Sequence, residues 1–228
     1  MMDFQVFPLG DQAVLLEFGT NINKNIHLNI WQVSALLEKT SPSWMMEYIP
    51  AFTTITVVYD AASILFPEVC QELQVLFSDL EKSEPIDSQV VEIPVCYGGN
   101  MGPDLEYVAN YNHLTMDEVV KIHTAQDYLV YMIGFAPGFP YIGGMSEKIA
   151  APRKKTPRLK IPARSVGIAG MQTGIYPIET PGGWQIIGRT PINLFLPDKE
   201  IPSLLKAGDR LKFHPISLEE FLELESNQ

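Results

Sequence analysis

Cysteine is scarce: Cys70 and Cys96 are the only two in 228 residues, with no CxxC pair and no histidine cluster beside either. That excludes a disulfide framework and a zinc site, leaves two reduced, buried thiols, and gives no reason to expect any metal. Long apolar runs are missing too. No stretch is long enough to span a bilayer, and the opening "MMDFQVFPLGDQAVLLEFG" has no basic segment leading into an apolar one, so a cytoplasmic protein is expected, without a membrane partner. Positive charge is in short supply, 16 Lys and Arg against 27 Asp and Glu, for a formal net charge of −11. Such a field repels phosphodiester backbones and anionic lipid; nucleic-acid binding is not expected, and any anion site must be local. Nucleotide loops of familiar spacing are also absent. Gly138 to Gly143 has the interval of a P-loop, but Gly144 and Met145 follow where Lys and Ser or Thr are needed, and no GxGxxG or G-x-S-x-G occurs.

What is present is a globular balance, 46% hydrophobic and 19% charged. In the first 80 or so residues "FQVF" and "AVLLEF" read as strands around the turn residues Pro8 to Asp11. Ile22, Ile26, Ile30, Val33 and Leu37 then recur at helical spacing, with Asn21 or Asn23 as cap. "MMEYI" and "TTITVVYD" read as strands, and Val69, Leu73, Leu76, Phe77 and Leu80 mark a second helix. This order fits an open sheet with helices on one face. Charge, Ser and Pro accumulate from Glu81 to Gln89, which divides the chain into a domain over 1–85 and another over 90–228. In the second, a short helix is expected over Pro103 to Asn110, and Thr115 with Glu118 forms a capping-box pattern opening a helix that ends near His123. Short β-rich runs follow, "YLVYMIGF", "SVGIAG", "WQIIGR", "LFL" and "DRLKF", spaced as in a small barrel or sandwich.

Two segments stand out. "GFAPGFPYIGG", Gly134 to Gly144, carries four glycines, two prolines and three aromatics in eleven residues, the composition of a stiff loop. Downstream, seven of the sixteen basic residues fall between Lys148 and Arg164, with no Asp or Glu from Lys148 through Ile178. Prolines 152, 157 and 162 restrict where the arginines of that strip point, and restricted guanidinium forks suit carboxylate or phosphate. His27, His113 and His214 read as structural or exposed. His123, at a helix end, reads either as a partner of the helix dipole or as a functional group.

"IPVCYGG", "GPDL", "IHTAQDYLVYMIGFAPGFPYIGGM", "APRKKTPRLKIPARSVGIAG", "QTGIYPIETPGGWQIIGRTP" and "LKAGDRLKF", in this order and with "LGDQAVLLEFG" ahead of them, resemble the 5-oxoprolinase B-subunit family, which also takes in KipI, an inhibitor of a sporulation histidine kinase, and allophanate hydrolase subunit 1. The resemblance covers nearly the whole chain. It implies an α+β protein with a ferredoxin-like N-terminal domain and a cyclophilin-like β-barrel. It also implies an ATP-dependent complex with subunits A and C that opens 5-oxo-L-proline to L-glutamate, with Mg2+ accompanying the ATP; a pure binding module acting on a histidine kinase, or a subunit for another amide, are the alternatives. For the enzyme, His123 is the expected proton-transfer group and Arg153 and Arg158 the expected catalytic cations. Gln172, Tyr176, Arg189, Lys154 and Lys155 are expected at the substrate, aided by Lys160. Phe135, Pro137, Phe139, Tyr141 and Trp184 are expected to wall the pocket or meet a partner. One departure concerns Arg164, where the family pattern is expected to have Gly; a positive φ there would strain the arginine.

Overall fold

A computed structural model describes residues 4–21, 23–78 and 90–227, in two compact units, Met1–Asp87 and Ser88–Gln228. Glu81 to Gln89, the expected junction, lies outside the described residues, as do Ile22 and Leu80.

In the first unit, β1 (Gln5–Pro8) and β2 (Ala13–Glu17) precede α1 (Lys24–Thr40), and β3 (Met45–Pro50) and β4 (Thr54–Tyr59) precede α2 (Phe66–Ser78). Every pairing is antiparallel, in the order β1-β2-β4-β3. Period-two alternation puts Val14, Leu16, Ile55 and Val57 on one buried face. Ile30, Val33 and Leu37 of α1 and Val69, Leu73 and Phe77 of α2 complete that core. Of the two candidate caps it is Asn23 that closes α1, accepting from the Ile26 amide at 3.0 Å.

The second unit begins with β5 (Val90–Tyr97), α3 (Leu105–Tyr111) and α4 (Met116–Thr124), followed by β6 (Asp127–Ile133) and β7 (Pro140–Gly143). Then come β8 (Arg158–Ile161), β9 (Ser165–Ala169), β10 (Gln172–Ile175), β11 (Thr180–Gly182), β12 (Gln185–Arg189), β13 (Arg210–Pro215) and α5 (Leu218–Ser226). Seven strands close into a barrel in the order β10-β7-β6-β13-β5-β12-β9, while β8 and β11 pair only with each other, as a ribbon. The capping box at Thr115 is present in both directions. "LFL" is not a strand but a single bridge, Phe195 to Ser203. Pro197 and Pro202 around it remove the donors that a longer ladder needs.

Alternation along the barrel strands makes two cores from one sheet. Ile168, Ile175, Ile187, Leu211 and Phe213 turn inward into the main cluster. The alternate residues, Ala169 of β9, Ile186 of β12 and the flanking Tyr176 and Trp184, turn outward and pack with Phe139 and with Ile161 of the ribbon. The ribbon therefore covers part of the barrel's outer wall.

Glycine at 174 makes this second core possible. A Cβ there would stand 2.9 Å from Cζ3 of Trp184 and 3.0 Å from Cζ of Phe139. Overpacking of this kind costs about 1–3 kcal/mol. Gly174→Ala is thus expected to lower unfolding free energy by that amount in urea titration, with loss of near-UV signal from Trp184.

Candidate functional site

The loop from Gly134 to Gly144 joins β6 to β7. It closes on itself, with Gly134 N–H donating to Phe139 O at 3.1 Å and Phe139 N–H to Ala136 O at 3.0 Å. Pro137 and Gly138 form its tip, Gly138 at φ +75 and Phe135 at φ +69. For an aromatic residue the left-handed region is strained by about 1–2 kcal/mol. The ring that this conformation presents is 63% exposed. Phe139, by contrast, is buried and lies 5.1 Å from Tyr141, 5.2 Å from Tyr176, 5.4 Å from Phe135 and 5.5 Å from Trp184 between ring centroids, all edge-on. Four of the expected wall residues, Phe135, Phe139, Tyr141 and Trp184, thus form with Tyr176 one aromatic platform or its rim, on the outer face of the barrel. Phe139 is its hub and not a docking residue, which corrects the expectation that it meets a partner. Burial pushes the Tyr176 hydroxyl up to about 12, so it stays protonated.

The cationic strip is anchored beside this platform by a residue that sequence reading did not select. Asp104, at the N-cap of α3, is buried. It accepts from both terminal nitrogens of Arg158 at 2.7 and 2.8 Å, from Lys154 Nζ at 3.1 Å, and from the Ile186 amide at 2.7 Å. Arg158 and Lys154 are therefore paired within the fold, with 28% and 30% of their side chains still exposed. Lys160 pairs with Glu179 at 3.1 Å. The strip's backbone is tied as well, Lys154 N–H to Gly183 O at 2.7 Å and Gln185 Nε2 to Pro152 O at 2.8 Å. Those ties leave Arg153 over the Trp184 ring, 6.0 Å from its centroid, and Lys155 exposed. Gln172, partly exposed, begins β10 on the same outward face.

Burial alone would raise the Asp104 carboxyl, but Arg158, the Ile186 amide and Lys154 together bring it below the usual range. A depressed carboxyl stabilises the fold above its unfolded pKa, and that contribution disappears as pH falls through the folded value. Asp104→Asn is expected to cost about 2–3 kcal/mol, less than a fully buried pair because both cations remain partly exposed. Denaturation between pH 3 and 7 checks it: the variant should lose part of the acid-side slope of the wild type.

His123 and Arg189 lie elsewhere. Thr173 turns inward where its neighbour Gly174 turns outward, and His123 belongs with Thr173. Its ring is fully buried, stacked on Phe213 at 4.5 Å, with Nδ1 2.8 Å from Tyr97 Oη and Nε2 2.9 Å from Thr173 Oγ1. The Thr173 hydroxyl donates its one proton to Gly167 O at 3.1 Å. Its oxygen must then accept from Nε2–H, so Nδ1 accepts from Tyr97. The chain of hydrogen bonds ends on a carbonyl, and burial lowers the imidazole to about 3. His123 is a neutral core residue behind the barrel wall, which corrects its expected proton-transfer role. With the folded value below the unfolded one, its contribution to stability is complete above about pH 6.5 and declines below it. The His123 ring protons should show no titration shift between pH 5 and 8 by NMR.

Arg189 ends β12, paired with Ser165, at the end away from Trp184. Its Nε donates to Ala163 O at 3.0 Å. Beside it, Arg164 does take φ +71, the strained value anticipated for a non-glycine residue there, and its guanidinium reaches Pro191 O at 2.8 Å and the Glu225 carboxylate. Burial and the Arg164 charge push the Arg189 guanidinium down while Glu225 holds it up.

The family model of the carboxyltransferase domain, subdomain C and D, matches residues 4–205. The B subunit of 5-oxoprolinase from Bacillus subtilis is 47% identical over 96% of this chain and 95% of its own, and that from Escherichia coli O157:H7 is 40% identical over 94% and 97%. The chain belongs to the 5-oxoprolinase B-subunit family. In the crystal structure of TTHA0988 the same fold recurs at a TM-score of 0.82 and 32% identity, over 90% of this chain but 40% of that longer one. Family membership spans both units, so the aromatic platform and the strip lie within the part of the chain that the family shares.

Proposed function

We propose that the chain is the B subunit of an ATP-dependent 5-oxoprolinase, working in the cytoplasm with subunits A and C to open 5-oxo-L-proline to L-glutamate. The first unit is then read as ferredoxin-like, with β1 ahead of β2 supplying the outer strand, and the barrel as cyclophilin-like. One observation carries the proposal: Arg153, with no carboxylate partner among the described residues, stands over Trp184 at the edge of an aromatic platform. A flat lactam ring fits the platform, and its carboxylate fits the guanidinium.

The unstrained amide needs activation before water can open it. Transfer of a phosphoryl group from ATP to the lactam oxygen supplies this, and attack by water then breaks the ring C–N bond, with ADP and phosphate as the other products. This chain's part is to hold the ring and carboxylate and to place positive charge near the reacting oxygen. Its loop lacks the Lys and Ser or Thr of a P-loop, and among the described residues no three His, Cys, Asp or Glu converge as metal ligands. The residues therefore do not fit a Mg2+-nucleotide cradle, and in this reading another member of the complex takes the nucleotide. With His123 sealed in the core, the proton-transfer group also falls to a partner. A second reading, docking of a histidine kinase, is favoured by one feature, the exposed Phe135 ring beside Pro137.

Reconstitution with subunits A and C should give 5-oxoproline-dependent ATP hydrolysis absent from the chain alone. Arg153→Ala should lower kcat/KM at least 100-fold, roughly 2.7 kcal/mol, without lowering Tm. Activity within twofold of wild type would remove Arg153 from the site. For the second reading, micromolar chain without the other 5-oxoprolinase subunits should reduce kinase autophosphorylation, and Phe135→Ala should relieve it.

A further inference from the structure

Away from the aromatic platform, two guanidiniums lie near one carboxylate. Arg164 is 13% exposed and bound to Glu225, itself 35% exposed. Arg189, partly buried beside them, spends only its Nε on Ala163 O, and among the described residues its two terminal nitrogens meet no carboxylate. The local charge is thus two cations to one anion, and a planar fork is left without its complement.

The carboxylate belongs to a lightly held element. Helix α5 has nine residues, opened by a capping box at Ser217, and Phe221 is its one buried side chain; Leu218, Leu222 and Leu224 are exposed. Phe221 and Glu225 are its two anchors. A sheltered guanidinium needs a counter-ion, so Glu225 can leave only if another anion replaces it. The backbone at Arg164 is strained at φ +71, and the side chain it carries there reaches both Pro191 O and the Glu225 carboxylate.

We propose that Arg164 and Arg189 form an oxyanion-binding site distinct from the aromatic platform, which Glu225 of α5 occupies in the unliganded chain and which takes a small carboxylate or phosphoryl ligand in exchange. Binding releases the C-terminal end of α5 while Phe221 remains seated. The site therefore couples the anion to the exposure of that helix.

The isolated full-length chain suffices for the test, which needs neither the other subunits nor 5-oxoproline, so its outcome is independent of the catalytic reading. Inorganic phosphate and acetate are titrated by calorimetry at constant ionic strength set with chloride. Glu225→Gln keeps the shape and removes the charge, and should bind phosphate at least tenfold more tightly than wild type; Arg189→Gln in that background should abolish binding. Arg189→Lys, which retains charge without the fork, serves if the Gln variant fails to fold, and should weaken binding. In wild type, phosphate should speed hydrogen exchange over residues 222–226, and relative affinity for phosphate and acetate distinguishes phosphoryl from carboxylate ligands. Equal affinity in wild type and Glu225→Gln, binding retained in both Arg189 variants, or no binding of either anion to Glu225→Gln would overturn the proposal.

Discussion

A single carboxylate organises the second unit. Asp104 ends the turn before α3, receives the amide of Ile186 from β12, and holds Arg158 in a two-point grip with Lys154 beside it. Three segments far apart in sequence are thereby fastened together: the N-terminus of α3, a barrel strand, and the start of the ribbon. An acidic side chain so enclosed would be costly alone, and the two partly exposed cations offset that cost. The ribbon is held against the wall as a result.

The barrel strands alternate, so neighbouring residues Thr173 and Gly174 serve opposite faces. Inside, a neutral histidine and a threonine satisfy each other in a directed chain that ends on a carbonyl. Outside, a residue without a side chain lets aromatic rings rest on the wall, and the ribbon and the Gly-Pro loop enclose them. Residues that look like one catalytic set in a linear reading, His123 with Arg153, are separated by the thickness of the sheet.

Much was legible beforehand. The helix caps at Asn23 and Thr115 and most strands follow from local pattern, because caps and periodicity are properties of neighbouring residues. The family likewise followed from motifs that span the chain. Phe135, Pro137, Phe139, Tyr141 and Trp184 are expected together as wall residues, whereas Tyr176, expected at the substrate, is placed among the aromatic ones by the structure. Their division into a buried hub and an exposed rim was not anticipated, since burial depends on which face of the barrel a residue occupies. Asp104 carried a signal, an Asp directly before a helix, but one that indicates a cap and says nothing of cations fifty residues away. Arg164 stands out only against the family pattern, which is expected to have Gly there. Only the structure shows that its guanidinium reaches Pro191 O and the Glu225 carboxylate.

Sequence by itself therefore determined the elements, the family, the cationic strip and the stiff loop, all of which depend on residues close together in the chain. Tertiary structure decided which cations remain available. Charge neutralisation requires partners brought together by folding: Asp104 takes Arg158 and Lys154, Glu225 takes Arg164, and among the described residues Arg153 and the fork of Arg189 are left without a carboxylate at two separate places on the barrel.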